Sequence, residues 1–150
     1  MPRKALFPGS FDPFTKGHQD IVLRGLKLFD EIIIGIGHNT KKQRSFDVNR
    51  MKMLIEEAFQ GNERVSVEIY DELTAEVARR TGAKFLLRGL RNTTDFEFEN
   101  GISQVNRYLF DDLETVFLIT SPQFAAISSS IIREVHRYGG NVDRFLPYKL

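Results

Sequence analysis

Between residues 9 and 18 the chain reads Gly9-Ser10-Phe11-Asp12-Pro13-Phe14-Thr15-Lys16-Gly17-His18. A Gly followed by a His where a helix begins suits anion chemistry. The first N–H groups of a helix are unpaired, the macrodipole is positive there, and Gly lets a phosphate approach the backbone. His18 adds a side-chain donor. The bland alternative is that His18 only caps or packs at the helix start, which for a lone His carries at least equal weight. Three further segments hold groups of the same kind. His38-Asn39-Thr40-Lys41-Lys42-Gln43-Arg44 is basic, although such runs are usually solvated charge clusters. Arg88-Gly89-Leu90-Arg91 sets two guanidiniums beside a Gly, and Arg matches phosphate oxygens bidentately. Ser128-Ser129-Ser130 opens a helical pattern with three hydroxyls, of which plain capping explains one.

The elements around these segments decide whether they meet. Lys4 to Phe7, Glu31 to Gly37, Arg64 to Ile69, Lys84 to Leu87 and Glu114 to Ile119 read as strands. Runs such as Ile32-Ile33-Ile34 and Val116-Phe117-Leu118-Ile119 are continuously apolar, which suits strands covered on both faces. Val48, Met51, Leu54, Ile55, Ala58 and Phe59 recur at helical spacing, with Ser45 or Asp47 as candidate cap. Ile21, Val22, Leu26 and Phe29 mark a helix after Gly17; Leu73 to Thr81 ends at Gly82, and Ser128 to Tyr138 ends at Gly139-Gly140. From Asp95 to Leu109, Phe96 and Phe98 alternate like a strand while Phe98, Ile102, Val105 and Leu109 step like a helix; helix is taken. Five β-α repeats with right-handed crossovers predict a single α/β domain, a Rossmann-like, doubly wound, five-stranded parallel sheet. Such sheets bind ligands beyond the carboxyl ends of their strands, so the four segments converge on one crevice.

Composition narrows the chemistry. The chain has 150 residues, 21 Lys+Arg against 20 Asp+Glu, a net charge of +1 and no Cys. Thiolate metal sites, disulfides and Cys nucleophiles are excluded, and a chain of this length buries roughly 70% of its unfolded surface without such staples. Near-zero charge argues against a nucleic-acid binder. No apolar run reaches membrane-span length and no signal-peptide pattern follows Met1, so no membrane partner and a cytoplasmic location are expected. Neither G-x-x-x-x-G-K-[ST] nor G-x-G-x-x-G is present, and no Ser lies in a G-x-S-x-G elbow. Phosphate transfer by positioning remains. His38 and His136 are read as surface or packing residues, and Asn92-Thr93-Thr94 as a loop entering a helix rather than a glycosylation site.

The segment Thr15-Lys16-Gly17-His18 resembles the (H/T)-x-G-H motif of the nucleotidyltransferase superfamily, and Ile127-Ser128-Ser129-Ser130 resembles its second signature. P-G-S-F-D-P-F-T-K-G-H, the Lys42 loop, R-G-L-R followed by D-F-E-F-E, N-R-Y-L and I-S-S-S are together similar to the bacterial phosphopantetheine adenylyltransferase family over essentially the whole chain. The resemblance implies that ATP and 4′-phosphopantetheine give dephospho-coenzyme A and pyrophosphate, the penultimate step of coenzyme A biosynthesis, with Mg²⁺ required. It implies His18 as the catalytic residue, and Ser10, Lys42, Thr74 and Arg88 on the phosphopantetheine side. The ATP side would be Ser10, Phe11, His18, Gly89, Leu90, Arg91, Glu99, Phe124, Ala125, Ala126, Ile127, Ser128, Ser129 and Ser130, with Arg91 the main phosphate clamp. Glu97 and Glu99 invite reading as metal ligands, but Mg²⁺ usually takes triphosphate oxygens and water, so no protein ligand is assigned. Family members are typically homohexamers, the Asp95 to Phe110 helix offers apolar surface for a symmetric contact, and coenzyme A is an expected inhibitor. Ser10 stands where the family often has Thr, Phe7 where many members have Tyr, and Thr74 is polar where some relatives are apolar. Two rivals stay open: another small-molecule nucleotidyltransferase, and a noncatalytic ATP-binding module.

Overall fold

The computed structural model describes residues 1–150. Five strands, β1 (Lys4–Gly9), β2 (Glu31–Gly37), β3 (Val65–Tyr70), β4 (Phe85–Leu90) and β5 (Glu114–Ile119), alternate with five helices. The helices are α1 (Lys16–Gly25), α2 (Val48–Ala58), α3 (Thr74–Thr81), α4 (Thr93–Leu109) and α5 (Ser129–Arg137). All pairings are parallel, in the order β3-β2-β1-β4-β5. The expected single-domain, Rossmann-like α/β architecture is therefore present. No helix is long and apolar enough to cross a membrane.

Alternate residues of the central strands feed two cores. Phe7, Ile32, Ile34 and Leu87 pack with Val22 of α1, Met51 and Ile55 of α2 and Ile132 of α5. Leu6, Ile33 and Leu86 pack with Ala75, Val77 and Ala78 of α3. Helix signals are met locally: Asp47, not Ser45, caps α2 by accepting from the Arg50 N–H, and Gly82 ends α3 in the left-handed region at φ 79°. Asn92 caps α4 by accepting from the Asp95 N–H at 2.9 Å, which gives the Asn-Thr-Thr segment its structural purpose. Phe96 packs on Phe117 while Phe98 stays exposed, so the strand-like alternation in α4 reflects one packed and one free aromatic.

Two strands run further than the sequence suggests. β1 continues through Pro8 to Gly9 because it keeps register with Gly35 and Ile36, and β4 continues through Arg88 to Leu90 against Phe117, Leu118 and Ile119. Arg88, Gly89 and Leu90 are thus strand residues, not a loop after the strand. β1 and β4 pair only at Ala5↔Phe85 and Leu6↔Leu86, then separate. The sheet splits where its strand order reverses, and a ligand crevice opens at such a point.

Candidate active site

The loop from Ser10 to Thr15 is held from four directions. Gly9 lies under the Phe11 ring, where an added Cβ would come within 2.8 Å of it. Phe11 itself has φ 44°, a left-handed conformation that costs a residue with a bulky side chain on the order of 1–3 kcal/mol. The surroundings enforce it. Arg44 donates to the carbonyls of Ser10 and Phe11, at 2.5 and 2.9 Å, and the Asp12 carboxylate accepts from the N–H groups of Ser45 and Phe46. Arg133 donates to the Asp12 carbonyl, Ser129 to that of Pro13 and the buried Tyr148 hydroxyl to that of Phe14.

This loop delivers Thr15 as the cap of α1 and His18 as its third residue. The Thr15 N–H donates to His18 Nδ1 at 3.0 Å, closing a capping box. That bond assigns the neutral ring's hydrogen to Nε2. His18 does cap its helix, and the cap is what turns Nε2–H outward as a donor. Burial first, with Phe7, Phe11 and Phe14 ringed 5.0–6.1 Å around it, and then the charges of Arg88 and Arg91 lower its pKa to about 3. At neutral pH the ring is uncharged.

Arg88 stands in the gap between β1 and β4. It grips the buried Glu99 of α4 with two N–H groups, Nε to Oε2 at 3.0 Å, and donates a further bond to the Pro8 carbonyl freed where the strands part. Each terminal nitrogen keeps one N–H for a ligand. Arg91 is paired with Asp95, Nε to Oδ2 at 3.1 Å. The three serines divide their work. Ser128 caps α5 by accepting from the Ile131 N–H, Ser129 donates to Pro13 and Ser130 accepts from Arg133. Only the Ser129 hydroxyl reaches the Ser10 to Thr15 loop; the other two bond within α5, whose first turn lines the smaller cleft.

Two clefts meet along this wall. The larger, about 810 Å³, is lined by His38, Lys42, Tyr70, Thr74 and Asn106 among others; the smaller, about 360 Å³, by Gly17, His18, Arg91, Phe124 and Ser128 to Ser130. Gly9, Ser10, Arg88, Glu99 and Arg133 line both. Phe11, Gly89 and Ile127 also line the smaller cleft, whereas Leu90, Ala125 and Ala126 line neither. Thr74 is the first residue of α3 rather than a loop residue, and its hydroxyl meets the Tyr70 hydroxyl at 3.1 Å. Burial pushes that Tyr70 hydroxyl above the ordinary tyrosine value. Sequence reasoning missed Arg133, Asn106 and His38 in these walls. Arg133 had a readable signal, one helical turn after Ser129-Ser130, and Asn106 opens the N-R-Y-L segment already singled out; His38 had none beyond position.

Two adjoining clefts that share one arginine wall, with a helix N-terminus and a neutral imidazole donor beside the smaller, have the layout of a nucleotidyltransferase. Residues 6–135 match the family model described as cytidylyltransferase-like. The phosphopantetheine adenylyltransferase of Cytophaga hutchinsonii is 59% identical over 150 residues, covering all of both chains. That of Flavobacterium johnsoniae is 51% identical over 145 residues, 97% of this chain and 95% of the other. The chain belongs to the phosphopantetheine adenylyltransferase family. A crystal structure of a bifunctional NMN adenylyltransferase/ADP ribose pyrophosphatase from Francisella tularensis shares the fold, with a TM-score of 0.74 at 18% identity. It is matched over 98% of this chain but 45% of its own length, so this chain spans under half of it.

Proposed function

We propose that the protein transfers the adenylyl group of ATP to 4′-phosphopantetheine, giving dephospho-coenzyme A and pyrophosphate, in the cytoplasm. The observation that carries this reading is the shared wall of Gly9, Ser10 and Arg88. Glu99 and Arg133 complete that wall, and along it a phosphate in the larger cleft would meet a triphosphate in the smaller one. An acceptor phosphate oxygen attacks the α-phosphorus in line; the new P–O bond forms as the bond to the β-phosphate bridging oxygen breaks, and pyrophosphate leaves. No covalent enzyme intermediate is needed, so catalysis is positioning plus stabilisation of charge on the transferring group.

Lys42 and the free N–H groups of Arg88 hold the acceptor phosphate, and the Ser10 hydroxyl orients it. The His18 Nε2–H donates to the α-phosphoryl oxygens as charge grows on them. Arg91 and the α5 N-terminus receive the β- and γ-phosphates. The lining fits Mg²⁺ carried by the nucleotide: Glu99 and Asp95 are each held by an arginine, and the remaining donors are N–H groups, cations and hydroxyls. When bound on triphosphate oxygens, the ion supplies charge neutralisation. The exposed apolar side of α4 supports a homo-oligomer, a hexamer by family likeness, and coenzyme A, which shares the product's parts, is expected to inhibit.

The deciding measurement is pyrophosphate release from ATP and Mg²⁺ with 4′-phosphopantetheine, nicotinamide mononucleotide or glycerol 3-phosphate. Release with phosphopantetheine alone is expected. Release with another acceptor moves the protein to a different nucleotidyltransferase reaction, and ATP binding without release under any condition makes it a binding module.

A further inference from the structure

We propose that His38 is a specificity-determining residue, donating a hydrogen bond from Nε2 to the hydroxyl or first amide of the phosphopantetheine arm; this rests on reading the larger cleft as the acceptor site. His38 follows Gly37, the last residue of β2, and its backbone N–H is fixed to the Tyr70 carbonyl at 2.8 Å. The residue lines the larger cleft. Its Nδ1 is the one buried side-chain polar atom of the chain without a hydrogen-bond partner. A buried N–H without an acceptor is rarer in folded proteins than an acceptor left bare, so the hydrogen of the neutral ring belongs on Nε2. No protein group engages that nitrogen, which leaves the ring one open donor.

The sheet order says what the donor meets. Strand tips are spaced about 4.8 Å apart, and the cleft crosses them in the order β4, β1, β2, β3. Arg88 on β4 and Ser10 after β1 mark the phosphate end, and Tyr70 and Thr74 mark the far end. His38, at the tip of β2, lies one strand beyond Ser10 on the way to that far end. The first polar groups of the arm beyond its phosphate are a hydroxyl and an amide carbonyl, both of which accept.

The test compares His38→Ala, His38→Phe and His38→Gln with the unaltered protein, using 4′-phosphopantetheine as acceptor. Neopentyl phosphate, which ends before the hydroxyl, is measured as a competitive inhibitor. Loss of one neutral hydrogen bond raises KM for phosphopantetheine about tenfold in the Ala and Phe variants. The KM for ATP and the Ki of neopentyl phosphate stay unchanged, and Gln, which keeps an N–H donor, recovers most of the loss. An unchanged phosphopantetheine KM in both the Ala and Phe variants overturns the inference. So does an equal loss for phosphopantetheine and neopentyl phosphate, which would mean a structural role. If the unaltered protein releases no pyrophosphate with phosphopantetheine, the acceptor reading itself fails and this inference falls with it.

Discussion

A histidine that must stabilise negative charge has two ways to do it, as a cation or as a neutral donor, and the surroundings of His18 select the second. Three phenylalanines and two arginines face its ring, so a proton added there would be both desolvated and repelled. The first prediction concerns catalysis. His18→Ala lowers kcat by about 10²–10³, as loss of one charge-stabilising donor commonly does, while ATP affinity measured by calorimetry changes little. Equal losses in kcat and ATP affinity would make His18 a binding residue instead. The second concerns pH. Because the folded-state value of about 3 lies below the ordinary 6.5, the unfolded chain binds a proton in that window that the folded chain refuses. Stability therefore falls as pH drops from 6.5 towards 3, by at most about 1.4 kcal/mol per pH unit from this group. In urea melts, the stability advantage of the unaltered protein over His18→Ala narrows across that window. Nitrogen NMR shifts of the His18 ring should report the Nε2–H tautomer unchanged from pH 8 to pH 5.

At the scale of elements, the sequence announces each strand and helix through apolar runs, caps and terminal glycines, because those signals act within a few residues. The site was legible to the same depth: the segments after β1 and β2, those at the end of β4, and the one opening α5 do converge. What the sequence hides is the division of labour inside them, since the partners are remote. Arg44 reaches Ser10 across 34 residues, Ser129 reaches Pro13 across 116 and Tyr148 reaches Phe14 across 134. Arg44 belongs to the basic loop, yet it spends its guanidinium on backbone carbonyls, and only Lys42 of that loop keeps a free cation in the cleft wall. Removing Arg44 should therefore act on the loop, not on charge recognition. Arg44→Ala is expected to cost about 2–4 kcal/mol in urea unfolding, since it strips hydrogen bonds from a part-buried network that holds Phe11 in an unfavourable conformation. Arg44→Lys restores little, because one ammonium cannot span the carbonyls that a planar fork reaches. Full recovery of stability by Lys would mean that charge opposite Asp12 is what matters there.

For the molecule as a whole, α4 links the site to the outside. Its inner side gives Glu99 to Arg88 and Asn106 to the larger cleft, while Phe98 and Tyr108 on its other sides are 69% and 89% exposed. Val105 is also exposed, and with Phe98 seven residues before it and Tyr108 three after it makes an exposed apolar stripe along the helix, the kind of surface that partners cover. A second copy covering that stripe would stiffen the helix that carries Glu99, and so hold Arg88, its partner, in place at the wall of the two clefts. The expectation is testable with the paired substitution Phe98→Glu and Val105→Glu, which places charge in the stripe without touching either cleft. Sedimentation should resolve the unaltered protein as an oligomer and the variant as a smaller species with the same circular dichroism. If the coupling through α4 holds, the variant's KM for 4′-phosphopantetheine rises several-fold while its ATP affinity is retained, because the proposed reading gives Arg88 to the acceptor phosphate. A variant that dissociates with unchanged kinetics would confine the stripe to assembly, and an unaltered protein that sediments as a monomer would remove the reason for the coupling altogether.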